Sequence, residues 1–386
     1  LNHLAQRVAA FVKDTFQEDQ VLLHRPVFAG HEKQYLAECI DSNFVSSVGA
    51  RVTEFEERLA TFVGARYAIA TMNGTAALHI ALELAGAKPG TEIIGQSLTF
   101  IATCNAASYT GATPVFVDVD RDTLGMSPQA LRAFLEANAQ RRDGGAWNRG
   151  TGRQIVACVP MHTFGHPCRI DEIAAICDEW GIVLVEDAAE SLGSWYKGRH
   201  TGTFGRLGTF SFNGNKIITT GGGGMVVTDD EALARRCKHL TTTAKIPHPY
   251  EYVHDEVGYN YRLPNLNAAL GCAQMEQLEG FLVHKRALAA RYIDFFKDAG
   301  VTFVQEPANS RANYWLNAIV LDSLAERDEF LKATNEAGVM TRPIWRLMTH
   351  LKMFSGCQHG GLENANWLEE RVVNIPSSVP TPWVGR

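Results

Sequence analysis

From Tyr67 onward, short runs of β-branched and aliphatic residues alternate with stretches whose apolar positions recur every three or four residues. "YAIAT" (67–71) leads through "MNG" into "TAALHIALELAGA", which has helical spacing, and "KPG" then turns the chain into "TEIIG". "FIATCNAASYTGA" predicts a helix, "TPVFVDVD" a strand, and "SPQALRAFLEANAQ" a helix opened by a Ser-Pro cap. "IVACVPMH" and "IVLVEDAA" are β-branched runs separated by "RIDEIAAICDEWG", a helix closed by glycine. "GMVVTDD" adds a strand and "EALARRCKHL" a helix. Strands alternating with crossover helices specify an α/β protein whose central sheet is mostly parallel and covered on both faces. Sites in such sheets lie beyond the carboxyl ends of the strands, where the loops diverge.

After residue 245 the pattern changes. "IPHPYEYVHDEVGYNYRLP" predicts an extended, aromatic connector, and "NLNAALGCAQMEQLEGFLVHKRALAARYIDFFKDAG" a long helical stretch with a bend. "YWLNAIVLD" predicts strand and "LAERDEFLKATNEAG" helix. The chain thus divides into a large α/β unit over 1–245 and a smaller α+β unit over 246–386. The large unit is expected to include an N-terminal amphipathic helix with Leu1, Leu4, Val8 and Phe11 on its apolar face. The polar segment "RRDGGAWNRGTGRQ" (141–154) is expected to be a mobile surface loop.

Composition narrows the function. A chain of 386 residues that is 46% hydrophobic can bury a large core. A net charge of −6 without a basic block argues against nucleic acid or an anionic membrane as partner. No segment approaches ~20 uninterrupted apolar residues, and the N-terminal helix lacks the apolar core of a signal peptide. The eight cysteines are scattered without a CxxC pair, the pattern of reduced thiols in a cytoplasmic protein. "MHTFGH" offers two histidines and no third ligand at suitable spacing, so His162 is expected to pack in a loop and no metal site is expected.

Chemistry concentrates at the strand ends. Asp187, in "LVEDAAESLGS", closes a buried run where a carboxylate is costly unless a cation or donors compensate. A protonated pyridine nitrogen is one such cation; a helix cap or salt bridge is the plain alternative. Gly74 and Thr75 sit at a strand-to-helix junction whose free amides and dipole attract phosphate, although the same turn can be an ordinary cap. Phe100 opens the following helix, where its ring can stack on a flat heterocycle or join the core. Ser211 lies five residues before Lys216 in "SFNGNKIITTGGGG", so a hydroxyl and an amine follow one strand. The glycine run lacks the Lys-Ser/Thr of a nucleotide loop and precedes a strand, which argues against that reading. Phosphate turn, aromatic, aspartate, serine and lysine, in that order, are the parts of a pyridoxal phosphate (PLP) site.

Over nearly its whole length the sequence resembles the sugar-nucleotide aminotransferases of the DegT family. The likeness is carried by "FVSSVGARVTEFEERLATFVGARYAIATMNGTAALHIAL", "VPMHTFGHPCRIDEI", "VEDAAESLGS", "FSFNGNKIITTGGGG", "GYNYRLPNLNAALG" and "RPIWRLMTHLKMF". It implies the aspartate-aminotransferase-type fold (fold type I), PLP as cofactor, and Lys216 as the Schiff-base lysine and proton carrier; relatives that run a dehydration instead have histidine there. Desolvation and a neighbouring cation are expected to keep that amine neutral. The resemblance further implies Asp187 at the pyridine nitrogen, Gly74, Thr75 and Ser211 at the phosphate, and Phe100 on the ring. Glu190 resembles the family residue near the phenolic oxygen or the substrate, with a solvated loop acid as the alternative. Asn260 in "GYNYR" is expected to complete the phosphate site of a second subunit, with Arg262 making structural contacts, which implies a homodimer with shared active sites. Ser46, Arg342 and Trp345 lie in motifs matching nucleotide-sugar contacts, although "RPIWR" could equally be a packed domain joint. Within the family, "EDAAESLGS" with "SFNGNKIITTGGGG" is similar to the branch that aminates C4 of UDP-linked 4-keto-6-deoxy-N-acetylglucosamine, with L-glutamate as the implied donor. Phe44 departs from the tryptophan common there. Amination at C3, a dTDP- or GDP-linked sugar, or a catalytically silent binding subunit are the alternatives.

Overall fold

The computed structural model describes residues 2–383; Leu1, counted above on the N-terminal helix, and residues 384–386 lie outside them. The large unit contains β1 (Tyr67–Thr71), β2 (Thr91–Gln96), β3 (Thr113–Val117), β4 (Ala139–Arg142), β5 (Gly145–Asn148), β6 (Gln154–Val159), β7 (Val183–Asp187), β8 (Trp195–Tyr196), β9 (Arg199–His200), β10 (Leu207–Ser211) and β11 (Gly224–Thr228). The central sheet runs β1-β11-β10-β7-β6-β2-β3, and β5 and β4 extend it from β6. Strands β10, β7, β6, β2 and β3 pair in parallel, while β11 is antiparallel to both β1 and β10. The α/β expectation, with a mostly parallel sheet, is met.

Alternate strand residues serve two cores. Ile93 and Val185 pack with Leu78 and Ile80 of the helix Gly74–Leu84 on one face; Ile94 and Leu184 pack with Phe134, Ile173 and Trp180 on the other. The helix Gly74–Leu84 is apolar nearly all round because it is buried, from Ala76 to Leu82, rather than lying on the surface. Its start is fixed by Asn73, whose side chain accepts from the Ala76 amide, as Ser127 and Asp230 do for Pro128–Asn138 and Glu231–Thr241.

The long helical stretch is two helices, Asn265–Met275 and Leu278–Phe296. The aromatic connector forms a small hairpin from Lys245–Ile246 and Val253–His254, with Tyr250 and Tyr252 exposed between them. A four-stranded sheet of Thr302–Phe303, Asn317–Val320, Val372–Ile375 and Arg342–Pro343 builds the smaller unit. Among the described residues, no helix is long and apolar enough to cross a membrane.

Two expectations are corrected. The N-terminal helix Asn2–Phe16 packs with the smaller unit, not the large one: Val8, Val12 and Phe16 are buried with Tyr292, Phe330 and Val373. Its apolar stripe needs a covering surface, and the outer face of that sheet and helix pair supplies it. The segment 141–154 is not a loop. It folds as a hairpin in which Asp143 and Gly144, both at positive φ (52° and 77°), join β4 to β5. Asn148 anchors the hairpin, donating to Glu92 Oε2 at 2.8 Å and to Gln358 Oε1 at 2.6 Å while 1% exposed.

An added methyl at Gly144 would meet nothing within 4 Å, so substitution there tests the turn conformation alone. Gly144→Ala is expected to lower stability by about 1 kcal/mol, read as a reduced urea midpoint at constant m-value. An unchanged midpoint would mean that the hairpin adds nothing to stability.

Candidate active site

Asp187 ends β7, Ser211 ends β10, Gly74 follows β1 and Phe100 follows β2, so the candidate residues collect at the carboxyl end of the sheet. There they line a cavity of about 710 Å³. The large unit supplies Gly74, Thr75, Phe100, Asp187, Glu190, Ser211 and Lys216, and the smaller unit closes the other side with Arg342 and Trp345.

One end of the cavity is made by close backbone approach. A Cβ on Gly74 would sit 2.8 Å from Ser211 Cβ, and one on Gly224 only 2.3 Å from Asn73 O. Glycine at both positions lets the β1 turn press against β10 and β11. Asn73 Oδ1 takes the Ala76 amide at 2.8 Å, while the first-turn amides of Gly74 and Thr75 have no intrahelical acceptor.

Asp187 is 2% exposed. Its Oδ2 accepts from the Thr103 hydroxyl at 2.6 Å and its Oδ1 from the Ala189 amide at 3.2 Å. Burial raises its pKa above the ordinary aspartate value, against the lowering effects of Thr103, the Ala189 amide, and the charges of Lys216 and His162. Both direct partners are neutral, so the buried oxygens still favour a positive neighbour.

Lys216 Nζ lies 3.7 Å from Glu190 Oε1 and 4.0 Å from the centroid of the Trp315 ring. What surrounds the amine is therefore an acid and an aromatic face, where the sequence suggested a cation. Trp315 is held by its own Nε1 donating to Asn215 O at 2.7 Å. Glu190 is buried rather than solvated, and its Oε2 accepts from the Phe164 amide at 2.8 Å. Burial pushes Glu190 up to about 7, with Asp187 adding to the rise and with Lys216 and the Phe164 amide opposing it. Phe164 holds that amide in place from a left-handed backbone (φ 57°, ψ 14°) and packs its ring 5.1 Å from Trp345. Phe100 is 47% exposed on the cavity wall, which removes the core alternative.

Two residues sit differently from what their motifs suggested, and Asn260, expected to serve a second subunit, lies outside its own subunit's cavity. Asn260 is exposed, its Oδ1 accepting from Arg262 at 3.0 and 3.2 Å. Ser46 is also exposed and outside the cavity, with its carbonyl accepting from the Asn265 amide. Arg342 lines the wall, but its Nη1 is bonded to Asn335 Oδ1 at 2.9 Å and Thr341 O at 2.7 Å. His162 is buried against Glu186, at 2.9 Å. Thr103, Trp315 and Asn374 stood outside the motifs, while Arg346 closes "RPIWR" beside Trp345 without having been singled out. Of the first three, Thr103 alone had a local signal, one helical turn beyond Phe100; Trp315 reaches Lys216 from far along the chain.

Residues 27–381 match the DegT/DnrJ/EryC1/StrS aminotransferase family. The chain belongs to that family. EpsN of Bacillus subtilis (strain 168), whose name places it among pyridoxal phosphate-dependent aminotransferases, is 40% identical over 85% of this chain and 82% of its own. GDP-perosamine synthase of Escherichia coli O157:H7 is 38% identical over 92% of each chain. The solved structure of DesI in the presence of its TDP-sugar product superposes with a TM-score of 0.80 at 30% identity, over 96% of this chain and 91% of that one.

The protein is thus a PLP-dependent aminotransferase of fold type I, and the cavity fits that cofactor. The unmatched carboxylate of Asp187 suits a protonated ring nitrogen, and the Gly74–Ser211 approach beside free amides suits a phosphate.

Two outcomes are expected. Thr103→Val removes the hydroxyl from a buried carboxylate and should weaken PLP binding about tenfold by absorbance titration, with Thr103→Ser recovering most of it. In the protein without PLP, Glu190 holds a proton between pH 4.5 and about 7 that the unfolded chain has lost. Stability should therefore fall as pH rises through that window, by roughly 3 kcal/mol, relative to Glu190→Gln. Urea unfolding at a series of pH values measures the difference; parallel profiles would show that Glu190 ionises as it does in water.

Proposed function

We propose that this aminotransferase moves an amino group from L-glutamate to the keto carbon of a nucleotide-linked sugar. The observation that carries the reading is the meeting, in one cavity, of a Lys216 amine and a buried Asp187 with a second wall built of arginines and tryptophan. When bound, PLP supplies an aldehyde that condenses with amines and a ring that accepts the electron pair left by a departing proton.

The chain's own residues do the rest. Asp187, steered by Thr103, holds the ring nitrogen in its protonated form. Gly74, Thr75 and Ser211 hold the phosphate, with Phe100 beside the ring. Lys216 is the Schiff-base lysine, and its Nζ takes up and returns the proton that transamination moves. Glu190, 3.7 Å from that amine, is placed to exchange a proton with it. Asn260 completes the phosphate site of a second copy, which accounts for its position outside its own cavity and makes the enzyme a homodimer with shared sites. Trp345 and Arg342 belong to the wall facing the sugar nucleotide, with Ser46 supplied near its edge.

For the acceptor, the motif likeness favours C4 of a UDP-linked 4-keto-6-deoxy-N-acetylhexosamine. A second reading, a GDP-linked 4-keto sugar, is supported by relatives named GDP-perosamine synthase at 38% and 36% identity, each spanning more than nine-tenths of this chain.

Purified protein should be yellow with PLP and bleach on addition of L-glutamate. Mass detection of the aminated product from a panel of UDP-, GDP- and dTDP-linked keto sugars then identifies the acceptor. Lys216→Ala should abolish turnover with the circular dichroism spectrum unchanged; an active Lys216→Ala protein would remove lysine from the chemistry.

A further inference from the structure

Lys285 is an amine that the chemistry above leaves unused. It projects from the helix Leu278–Phe296 and is 1% exposed, yet no carboxylate among the described residues pairs with it. Its Nζ donates to Ser377 O and lies 2.9 Å from His24 Nε2. Burial pushes its pKa down to about 7. A buried amine with only neutral partners is costly to keep, so its neighbours bear inspection. His24 joins it to the loop that carries Lys216. That histidine lies ahead of the family-matched span 27–381, in the segment that follows the helix Asn2–Phe16. The backbone there is clamped: Val21 bridges Val339, Leu23 O accepts from the Ser377 amide at 2.7 Å, and the Arg25 amide donates to Ser378 Oγ at 2.9 Å. The His24 ring stands 6.3 Å from the ring of Trp315, which in turn holds Asn215 O through its Nε1 and lies beneath the Lys216 amine.

Hydrogen accounting fixes the state of the ring. Desolvation, with the charges of Lys285 and Lys216, holds His24 well below the ordinary histidine pKa, so the imidazole is neutral and has one hydrogen. An ammonium has only hydrogens to offer, so Nε2 presents its lone pair to Lys285 and the hydrogen stands on Nδ1. Nδ1 is buried and makes no hydrogen bond among the described residues, while the backbone of Asn215 is near enough to favour a proton on the ring. A hydrogen facing the Asn215 carbonyl attracts it; a lone pair in the same place would repel it. Asn215 is the residue before Lys216.

We propose that Lys285 is a positioning residue for Lys216, acting through the His24 tautomer on the Asn215 carbonyl. The inference rests on the reading of Lys216 as the cofactor-bonding lysine and adds the residues that set its loop. A carbonyl oxygen has two lone pairs, so the 2.7 Å bond from Trp315 Nε1 leaves one for the Nδ1 hydrogen. Loss of the Lys285 hydrogens frees the ring to move its own hydrogen to Nε2, and the carbonyl then meets a bare nitrogen.

Nitrogen NMR of the histidine-labelled protein without PLP reads the tautomer directly, at about pH 6, below the Lys285 value of about 7. His24→Asn identifies the signal by its loss. Wild type should show a neutral His24 with hydrogen on Nδ1, and Lys285→Met should lose that signature; the same tautomer in both proteins overturns the inference. Stopped-flow absorbance then follows PLP uptake into the yellow form. Lys285→Met should slow uptake about tenfold and lower kcat by a similar factor, with KM for L-glutamate unchanged. His24→Asn, which can present an amide hydrogen where Nδ1 stands, should keep most of the wild-type rate. His24→Gln, which reaches toward Lys285 instead, should behave as Lys285→Met does. Where Lys285→Met fails to fold, the two His24 variants decide: equal loss in both, or none in either, overturns the inference. Uptake by Lys285→Met at the wild-type rate would also overturn it, leaving the role of Lys216 intact. PLP fixed by borohydride to Lys216→Ala as readily as to wild type would instead remove the role of Lys216 itself.

Discussion

A carboxylate buried at the end of a parallel strand is the constraint around which the cavity is arranged. Asp187 is removed from water, and its two direct donors are a hydroxyl and an amide. Neither neutralises a charge, so the site is left with a standing preference for a cation. That preference explains the placement of Thr103: it faces inward from a helix whose next residue, Cys104, is also buried, and it aims its hydroxyl at Asp187. A protonated ring nitrogen is the kind of group that would meet that preference. The same burial acts on Glu190, and the charge of Asp187 raises it further, so Glu190 is the acid that holds a proton toward neutrality.

The opposite end of the cavity depends on absence of side chains rather than on charge. Gly74 and Gly224 let three backbone segments meet where any Cβ would collide, and the amides of the helix start are left facing the space between. An anion is accepted there by geometry built into the strand order, since β11 enters antiparallel and brings its first residue, Gly224, to the carboxyl end of its neighbours. The two ends thus differ in their physics, an unpaired negative charge at one and free first-turn amides at the other.

Much of this was legible in the chain, for reasons that differ by element. The strands and crossover helices were readable because each is long enough for its period to repeat and each start carries a cap, as with Asn73, Ser127 and Asp230. Gly74, Asp187, Ser211 and Lys216 were readable because they follow strands closely, so that local order fixes their place. The hairpin at 141–154 was missed although "DG" between two short strands is its signal; arginines and glycines on both sides masked the alternation. The N-terminal helix was assigned to the wrong unit because amphipathicity states that a partner exists and not which one. Trp315 and Asn374 had no local signal at all: they matter only because the smaller unit folds back over the sheet, a long-range fact that no window of sequence contains.

That folding-back bears on how Lys216 is held. Its backbone is tightly fixed: the Lys216 amide donates to Asn213 O at 3.0 Å, Trp315 ties Asn215 O, and Asn267 ties Thr220 O at 2.7 Å. Its amine is not. The contacts at 3.7 Å to Glu190 and 4.0 Å to Trp315 are beyond hydrogen-bond length, so they leave its direction unfixed. In the role proposed for Lys216, alternating between bonding a cofactor and carrying a proton, that difference is an advantage, because a firm hydrogen bond would have to be broken at each exchange. Rigid loop and loosely held amine are therefore two halves of one arrangement, and both come from residues that the smaller unit and the sheet contribute jointly.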